Sequence, residues 1–346
     1  MKTFTHPHAF ILENGAVLPG IEVAYHTYGK LNAKKDNVVW VCHALTANSD
    51  VFDWWPGLFG ENDLFNPQDY FIVCANNLGS CYGSTGPLSL HPHTGQPWFA
   101  YFPHLSIRDL VCAHELLRKH LGIETIHVLI GGSQGAQQVL EWSAEQPGLA
   151  EHLVVIASNA QHSPWGIALN ESQRLAIKAD RTYYANTETG GQKGLAAARS
   201  MALLSYRTYQ TYNATQKEED NAVVQNFNAC TYQRYQGEKL VKRFNAYSYV
   251  TLSQAMDSHN LGRGRASVKQ ALEDIEAKAL VIGISSDLLF PPTEQEFIAA
   301  HVPNSTLEII HSFYGHDGFL IETEQLTQSI SKFLTPTEKQ LQTIDS

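Results

Sequence analysis

Short apolar runs and helical patterns alternate along the first half of the chain. The apolar runs are rich in β-branched and aromatic residues, which is typical of strands buried on both faces. The segments between them place apolar residues three and four positions apart, as on one face of a helix. In chain order, the pattern predicts strands at 37–42, 70–75, 126–130 and 152–157, and helices at 106–121 and 136–144. This alternation predicts a mostly parallel sheet with crossover helices, which is an α/β fold.

The same pattern returns near the end of the chain, after a long stretch that lacks it. It predicts strands at 278–284 and 306–311 and a closing helix at 322–334. From about residue 165 to 265 no run resembles a buried strand, and helical segments at 194–204 and 218–227 are accompanied by many tyrosines. We therefore predict an α/β core made of residues 1–165 and 266–335, interrupted by a helical insertion at 166–265 that forms a lid.

The two ends of the chain carry weaker signals. An Asn14-Gly15 turn predicts an antiparallel hairpin between residues 10–12 and 17–25 at one edge of the sheet. Residues 336–346 are predicted to form a polar, frayed tail.

Composition narrows the class of protein. The chain has 346 residues, of which 43% are apolar, so it can bury a sizeable core, and it lacks the apolar run of a membrane span or a secretory signal. Its 34 acidic and 24 basic residues give a net charge of −10, which argues against nucleic-acid binding. The five cysteines are scattered without a C-x-x-C pair, so we expect neither disulfides nor a zinc site. These features favour a soluble enzyme of the cytoplasm.

A glycine-rich motif lies between the strand at 126–130 and the helix at 136–144. Residues 131–135 read Gly-Gly-Ser-Gln-Gly, a G-x-S-x-G pattern in a tight strand-to-helix turn. Glycines permit the strained backbone that lifts a serine hydroxyl above the carboxyl edge of the sheet. A turn with no catalytic role could have the same sequence, but the strand–turn–helix context favours Ser133 as a nucleophile. The amide of Gln134, at the helix start, is then predicted to donate to a developing oxyanion.

A serine nucleophile needs a base and an acid that orients the base. In this architecture the expected chain order is serine, acid, histidine, with the last two in loops after late strands. Asp287 follows the strand at 278–284, and His316 follows the strand at 306–311. We therefore predict a catalytic triad of Ser133, Asp287 and His316.

The second oxyanion donor is expected in the loop after the strand at 37–42, at the amide of Leu45. His43, in the same loop, could bind a metal, but no second ligand stands at helical spacing from it. We expect His43 to pack or to form hydrogen bonds beneath the loop, and we predict no metal site.

Several longer motifs together resemble one enzyme family. They are HALT at 43–46, NNLGSCYGSTGPLSLHPHTG at 76–95, MDSHNLGRGR at 256–265, GISSDLLFP at 283–291 and YGHDGFL at 314–320. Over about residues 9–334 the chain resembles the homoserine O-acetyltransferases of methionine biosynthesis, which have an α/β-hydrolase fold.

The resemblance implies a reaction and its substrates. An acetyl group would pass from the co-substrate acetyl-CoA to the hydroxyl of L-homoserine, by a ping-pong route through acyl-Ser133 and without a further cofactor. Arg199 and Tyr206, seven residues apart on an inserted helix, would help bind homoserine, and Asp317 would receive its ammonium group. A carboxylate and an ammonium on one substrate require one fixed cation and one fixed anion. The resemblance also implies a homodimer formed through the helical lid.

Two segments depart from the family pattern. Residues 134–137 read Gln-Gly-Ala-Gln where the family usually has Met-Gly-Gly-Met, and Ala47 replaces the usual glycine after HALT. Both changes are expected to touch loops that line the acyl pocket. Succinyl-CoA as donor and serine as acceptor therefore stay open as alternatives. A serine esterase on the same fold, in which water reaches the acyl-enzyme, is a further alternative.

Overall fold

An eight-stranded sheet forms the centre of the computed structural model, which describes residues 1–92 and 94–335. The strands are β1 (Lys2–His6), β2 (Phe10–Ile11), β3 (Val17–Leu18), β4 (Ile21–Tyr28), β5 (Val38–Cys42), β6 (Phe71–Ala75), β7 (Ile126–Gly132), β8 (Ala150–Ile156), β9 (Lys278–Ile284) and β10 (Ser305–Ile310). The strand order is β1-β4-β6-β5-β7-β8-β9-β10, and β1 and β4 are antiparallel to their neighbours while the other strands are parallel. The prediction of a mostly parallel α/β sheet is confirmed.

Helices cover both faces of this sheet. They are α1 (Val51–Trp54), α2 (Ile107–His120), α3 (Gln134–Glu145), α4 (Pro164–Ala179), α5 (Gln192–Tyr206), α6 (Tyr209–Thr215), α7 (Asn228–Val241), α8 (Ala246–Asp257), α9 (Val268–Glu273), α10 (Pro292–His301), α11 (Gly318–Ile321) and α12 (Thr323–Leu334). In β5, Val38 and Trp40 belong to one buried apolar cluster and Val39 and Val41 to another, because successive side chains of a strand point to opposite faces. The strand is therefore buried on both sides.

The helices α4 to α9 lie between β8 and β9 in the chain and interrupt the sheet as an insertion. Ile177 of α4, Leu195 of α5 and Leu240 of α7 belong to the same buried cluster as Trp40 of the sheet. The inserted helices thus share the apolar core with the sheet. Within the described residues, no helix is both long and apolar enough to cross a membrane. The polar tail predicted at 336–346 lies outside the described residues.

The prediction of an amino-terminal hairpin at the sheet edge is wrong in its placement. The turn at Asn14 and Gly15 exists, with φ +85° at Gly15, but β2 and β3 form a separate two-stranded sheet. The edge of the main sheet is β1, paired antiparallel with β4. Pro19 and Gly20 divide the strand predicted at 17–25 into β3 and β4. Proline has no amide hydrogen to donate, and a Cβ at Gly20 would lie 3.0 Å from the His6 carbonyl oxygen.

The predicted helix at 218–227 is also wrong, because this segment forms turns and α7 begins only at Asn228. The Asp220 side chain accepts a hydrogen bond from the Ala222 amide at 2.8 Å, which favours a turn. The Glu218 side chain accepts from the Asn228 amide at the start of α7. The segment is largely exposed, so a helix here would have no apolar face to bury.

Candidate active site

Ser133 lies in a strained turn between β7 and α3. Its backbone has φ 57° and ψ −126°, a conformation that a residue with a side chain rarely adopts. A Cβ at Gly131 would lie 2.5 Å from the Gly135 carbonyl carbon, and one at Gly135 would lie 2.0 Å from the Cys42 carbonyl oxygen. The glycines of the motif are therefore needed for close packing of backbone on backbone, which holds the serine in its turn.

The three residues that the chain order predicted as a triad lie together in a hydrogen-bonded row. His316 Nε2 lies 2.9 Å from Ser133 Oγ, and His316 Nδ1 lies 2.7 Å from Asp287 Oδ2. Asp287 Oδ1 accepts hydrogen bonds from the amides of Leu289 at 2.8 Å and Phe290 at 2.9 Å. With its Nδ1–H donating to the carboxylate, His316 presents Nε2 as the acceptor for the serine proton. This geometry can generate a serine nucleophile.

The two residues whose amides are predicted as oxyanion donors lie near this serine in the cavity wall or in the chain. Leu45 follows β5, is buried, and lies in the wall of the cavity that contains Ser133. Gln134 is the first residue of α3, where a backbone amide has no acceptor within its own helix. Both placements agree with an oxyanion site, and the role of each amide stays a prediction.

His43 forms two hydrogen bonds beneath the loop that carries Leu45. Its Nδ1 lies 2.9 Å from the Ala44 carbonyl oxygen, and its Nε2 accepts from the Asn77 amide at 3.0 Å. Burial lowers the pKa of His43 to about 4, so the ring is neutral near pH 7. The expectation that this histidine forms hydrogen bonds beneath the loop is confirmed.

A cavity of about 510 Å³ opens onto the serine, and the predicted substrate residues line it together with two of the three triad residues. Ser133, His316, Arg199, Tyr206 and Asp317 all contribute to its wall. The Arg199 guanidinium lies 5.4 Å from the centre of the Tyr206 ring, which in turn lies 5.6 Å from the His316 ring. Burial raises the pKa of Tyr206, so its hydroxyl stays protonated. The structure thus places the predicted cation, Arg199, and the predicted anion, Asp317, in the same cavity as the nucleophile.

Asp317 already has a cationic partner that the sequence analysis did not anticipate. Arg207 Nε lies 2.6 Å from Asp317 Oδ2, and both side chains are mostly buried. An ammonium group that binds Asp317 would therefore share the carboxylate with Arg207. Arg207 directly follows Tyr206 in the chain, so its position close to the site could have been inferred from the sequence.

Two further cations in the cavity wall, Lys239 and Arg243, were also missed. Arg243 lies just after α7, and its Nη1 donates to the Thr46 carbonyl oxygen at 2.5 Å and to the Tyr82 hydroxyl at 2.8 Å. These bonds connect the inserted helices to the loop that carries Leu45. An exposed basic residue at the end of a helix has no sequence signal that would distinguish it from an ordinary solvated charge.

The departures from the family pattern lie in different surroundings. Ala47 lies in the cavity wall, as expected. The side chains of Gln134 and Gln137 are fully buried instead, and their amide groups donate to the Leu252 carbonyl oxygen at 2.8 Å and to Asn159 Oδ1 at 3.1 Å. The expectation that both changes touch the acyl pocket therefore holds for Ala47, while the two glutamines belong to a buried polar network.

One group of possible metal ligands occurs in the part of the chain that the structure describes. Ligand atoms of His127, Glu151 and His152 lie within 4.8 Å of one another, at the amino ends of β7 and β8. His127 Nδ1 lies 2.8 Å from Glu151 Oε2, and His152 Nδ1 lies 3.2 Å from the His127 carbonyl oxygen. The group thus has hydrogen bonds of its own, and it lies at the end of the strands opposite to Ser133.

Comparisons with known proteins agree with this fold and site. Residues 37–323 match the alpha/beta hydrolase fold family. A crystal structure of esterase E22 has a TM-score of 0.88 and 24% identity, over 96% of this chain and 99% of that one, and this likeness concerns the fold alone. The protein is thus an α/β-hydrolase-fold protein with a serine–histidine–aspartate row at the carboxyl edge of its sheet.

More similar sequences narrow the family. The chain is 48% identical to the homoserine O-acetyltransferase of Cyclobacterium marinum over 332 residues, which cover 96% of this chain and 94% of that protein. The structure of homoserine O-acetyltransferase from Staphylococcus aureus has a TM-score of 0.82 and 28% identity, over 97% of this chain and 95% of that one. The chain belongs to the homoserine O-acetyltransferase family.

Proposed function

We propose that this protein transfers the acetyl group of acetyl-CoA to the hydroxyl of L-homoserine through an acyl-Ser133 intermediate. The observation that carries the proposal is one cavity lined by Ser133 and His316 together with Arg199 and Asp317, with Asp287 hydrogen-bonded to His316 behind them. An amino-acid acceptor brings one carboxylate and one ammonium group, which match these two charges. Acetyl-CoA is a co-substrate in this proposal, and no metal or organic cofactor takes part.

The first half-reaction acylates the serine. Ser133 Oγ attacks the thioester carbonyl while His316 Nε2 takes the hydroxyl proton, and the amides of Leu45 and Gln134 stabilise the negative oxygen. The C–S bond then breaks, and the thiolate of CoA leaves with the proton held by His316. Asp287 keeps the imidazole oriented and stabilises its positive charge during the step.

The second half-reaction returns the serine to its free state. The homoserine hydroxyl gives its proton to His316 Nε2 and attacks the acyl carbon, and the bond to Ser133 Oγ breaks as the serine regains a proton. Arg199 and Tyr206 would hold the carboxylate of homoserine, and Asp317 would hold its ammonium group. Because acceptor binding fixes the hydroxyl near the acyl carbon, transfer gains from proximity, an advantage that a free water molecule lacks.

The competing esterase reading predicts a different product from the same intermediate. The experiment supplies acetyl-CoA with and without millimolar L-homoserine and measures O-acetylhomoserine and acetate separately. We expect transfer to exceed hydrolysis when homoserine is present, and hydrolysis faster than transfer would reject the proposal. Succinyl-CoA and L-serine in parallel reactions decide between the remaining donors and acceptors, and a preference for either one would correct the substrate assignment.

We further propose a homodimer in the cytoplasm, formed through the inserted helices. Large apolar side chains are exposed on α4 to α6, namely Trp165, Leu175, Met201, Leu204 and Tyr209. Exposed apolar groups at this density on neighbouring helices are typical of an interaction surface. Light scattering at micromolar protein concentration should give the mass of two chains, and a monomeric mass would contradict the dimer.

A further inference from the structure

The cavity wall carries more positive than negative charge, although the protein as a whole is acidic. Arg199, Lys239 and Arg243 line it, and in the part of the chain that the structure describes none of the three forms an ion pair. The wall also contains two carboxylates, Asp53 and Asp317, of which Asp317 forms an ion pair with Arg207. Three cations without an ion pair line one cavity in a chain with net charge −10, so the cavity suits an anionic ligand.

The three cations lie at different depths. Arg199 is half-buried beside Tyr206, whereas Lys239, in the last turn of α7, and Arg243 are exposed. Ser133 is almost fully buried, with 6% of its surface exposed. The exposed pair is therefore accessible to solvent, whereas the reacting serine is enclosed.

Arg243 is held in place without losing its charge. Its hydrogen bonds go to a carbonyl oxygen and a hydroxyl group, of Thr46 and Tyr82, and neither partner carries a negative charge. Its side chain is thus fixed while its charge stays available. A fixed guanidinium and an exposed ammonium group in the wall of one cavity are suited to binding phosphate oxygens.

We propose that Lys239 and Arg243 form an anion subsite that binds the phosphate groups of the acyl donor. This inference rests on the proposed function and deepens it by naming the residues that recognise the donor. The thioester end of acetyl-CoA is joined to its phosphates by an uncharged pantetheine arm, so a buried serine and an outer cationic pair match the two ends. One carboxylate of homoserine requires only one cation, and Arg199 lies beside Tyr206, whose ring in turn lies 5.6 Å from that of His316.

The test compares two acetyl donors, of which only one carries phosphates and the adenosine attached to them. Lys239→Ala and Lys239→Glu are assayed with acetyl-CoA and with S-acetylpantetheine, which has the same thioester and arm but no phosphate. Lys242→Ala and Lys242→Glu are the matched controls, because Lys242 is an equally exposed lysine three residues further along that is not part of the cavity wall. Both positions are on the surface, so all four variants should fold.

We expect Lys239→Ala to raise the KM for acetyl-CoA about fivefold, and Lys239→Glu to raise it further, because one phosphate contact is lost or reversed. The KM for S-acetylpantetheine should stay unchanged, as should both values in the Lys242 variants. Added salt should raise the KM for acetyl-CoA more in the parent protein than in Lys239→Ala, since salt screens the same attraction.

Equal effects on the two donors, or no effect on either, would overturn the subsite. Equal effects of the Lys239 and Lys242 variants on acetyl-CoA would also overturn it, because the attraction would then be a general surface effect. Failure of the proposed function has a separate signature, namely that the parent protein transfers acetyl from neither donor to homoserine.

Discussion

Replacement of Asp287 by asparagine tests whether this carboxylate sets the tautomer of His316. Asp287 Oδ1 accepts from the amides of Leu289 and Phe290 at 2.8 and 2.9 Å, and Oδ2 lies 2.7 Å from His316 Nδ1. Because two backbone donors require an acceptor, the amide oxygen of asparagine would take the place of Oδ1. Its NH₂ group would then face His316 and favour the tautomer that carries its proton on Nε2.

That tautomer would present a donor to the Ser133 hydroxyl, which lies 2.9 Å from His316 Nε2, so the serine proton could not be accepted. In serine proteases the equivalent change lowers kcat by about 10⁴-fold, which corresponds to about 5.5 kcal/mol of transition-state stabilisation. We expect a loss of about 10³- to 10⁴-fold here. The hydrogen bonds from the Leu289 and Phe290 amides are kept, with the neutral amide oxygen of asparagine as their acceptor. The free energy of unfolding should therefore fall by only about 1–3 kcal/mol.

The assay follows acetyl-enzyme formation from acetyl-CoA by rapid quench and intact mass, together with circular dichroism and a thermal melt of each variant. Asp274→Asn serves as the control, because Asp274 is exposed and, among residues 1–92 and 94–335, its side chain accepts only from Gln270. A folded Asp287→Asn variant that acylates within about tenfold of the parent rate would refute the orienting role of Asp287.

Three further predictions follow from individual contacts. Arg243→Ala should lower kcat with S-acetylpantetheine about tenfold, because the loop that carries Leu45 loses the hydrogen bond between Arg243 and the Thr46 carbonyl oxygen. A kcat equal to that of the parent protein would contradict this. Gly135→Ala should cost about 3 kcal/mol of unfolding free energy, since its Cβ would lie 2.0 Å from the Cys42 carbonyl oxygen; an unchanged urea midpoint would show that the turn can relax. Burial lowers the pKa of His114 to about 3, so below pH 6.5 the unfolded chain binds a proton that the native protein does not. The free energy of unfolding therefore falls as the pH falls, because protonation of His114 favours the unfolded chain. Urea titrations should show that His114→Leu reduces this fall between pH 7.5 and pH 5 by about 2 kcal/mol. The same pH dependence in the variant and the parent would exclude His114 as the cause.

Much of the core could be predicted because its signals are local. The bounds predicted for the strand at 278–284 are those of β9, since a buried parallel strand is a continuous apolar run. The position of Ser133 follows from the glycines around it, and the positions of Asp287 and His316 follow from the strands before them. Parallel strands end at one edge of a sheet, so chain order alone brings these residues close together.

Other features could not be predicted because they depend on contacts between distant parts of the chain. Nothing in residues 2–6 indicates that they pair with β4, as the edge strand β1 does. Arg207 and Asp317 lie on different elements, and Arg243 bonds with Thr46 across 197 positions. A charged residue at a helix end looks the same in sequence whether it is solvated or meets a loop of the site. The helix wrongly predicted at 218–227 shows the same limit, because local composition does not reveal whether an apolar face is available for packing.

The most direct measurement for the whole account is the mass of the Ser133 peptide after the protein is mixed with acetyl-CoA alone. The account predicts that this peptide gains the mass of one acetyl group, that the group is lost when L-homoserine is added, and that Ser133→Ala gains nothing. An unmodified Ser133 peptide, or an acetyl group carried by another residue while transfer still proceeds, would contradict it.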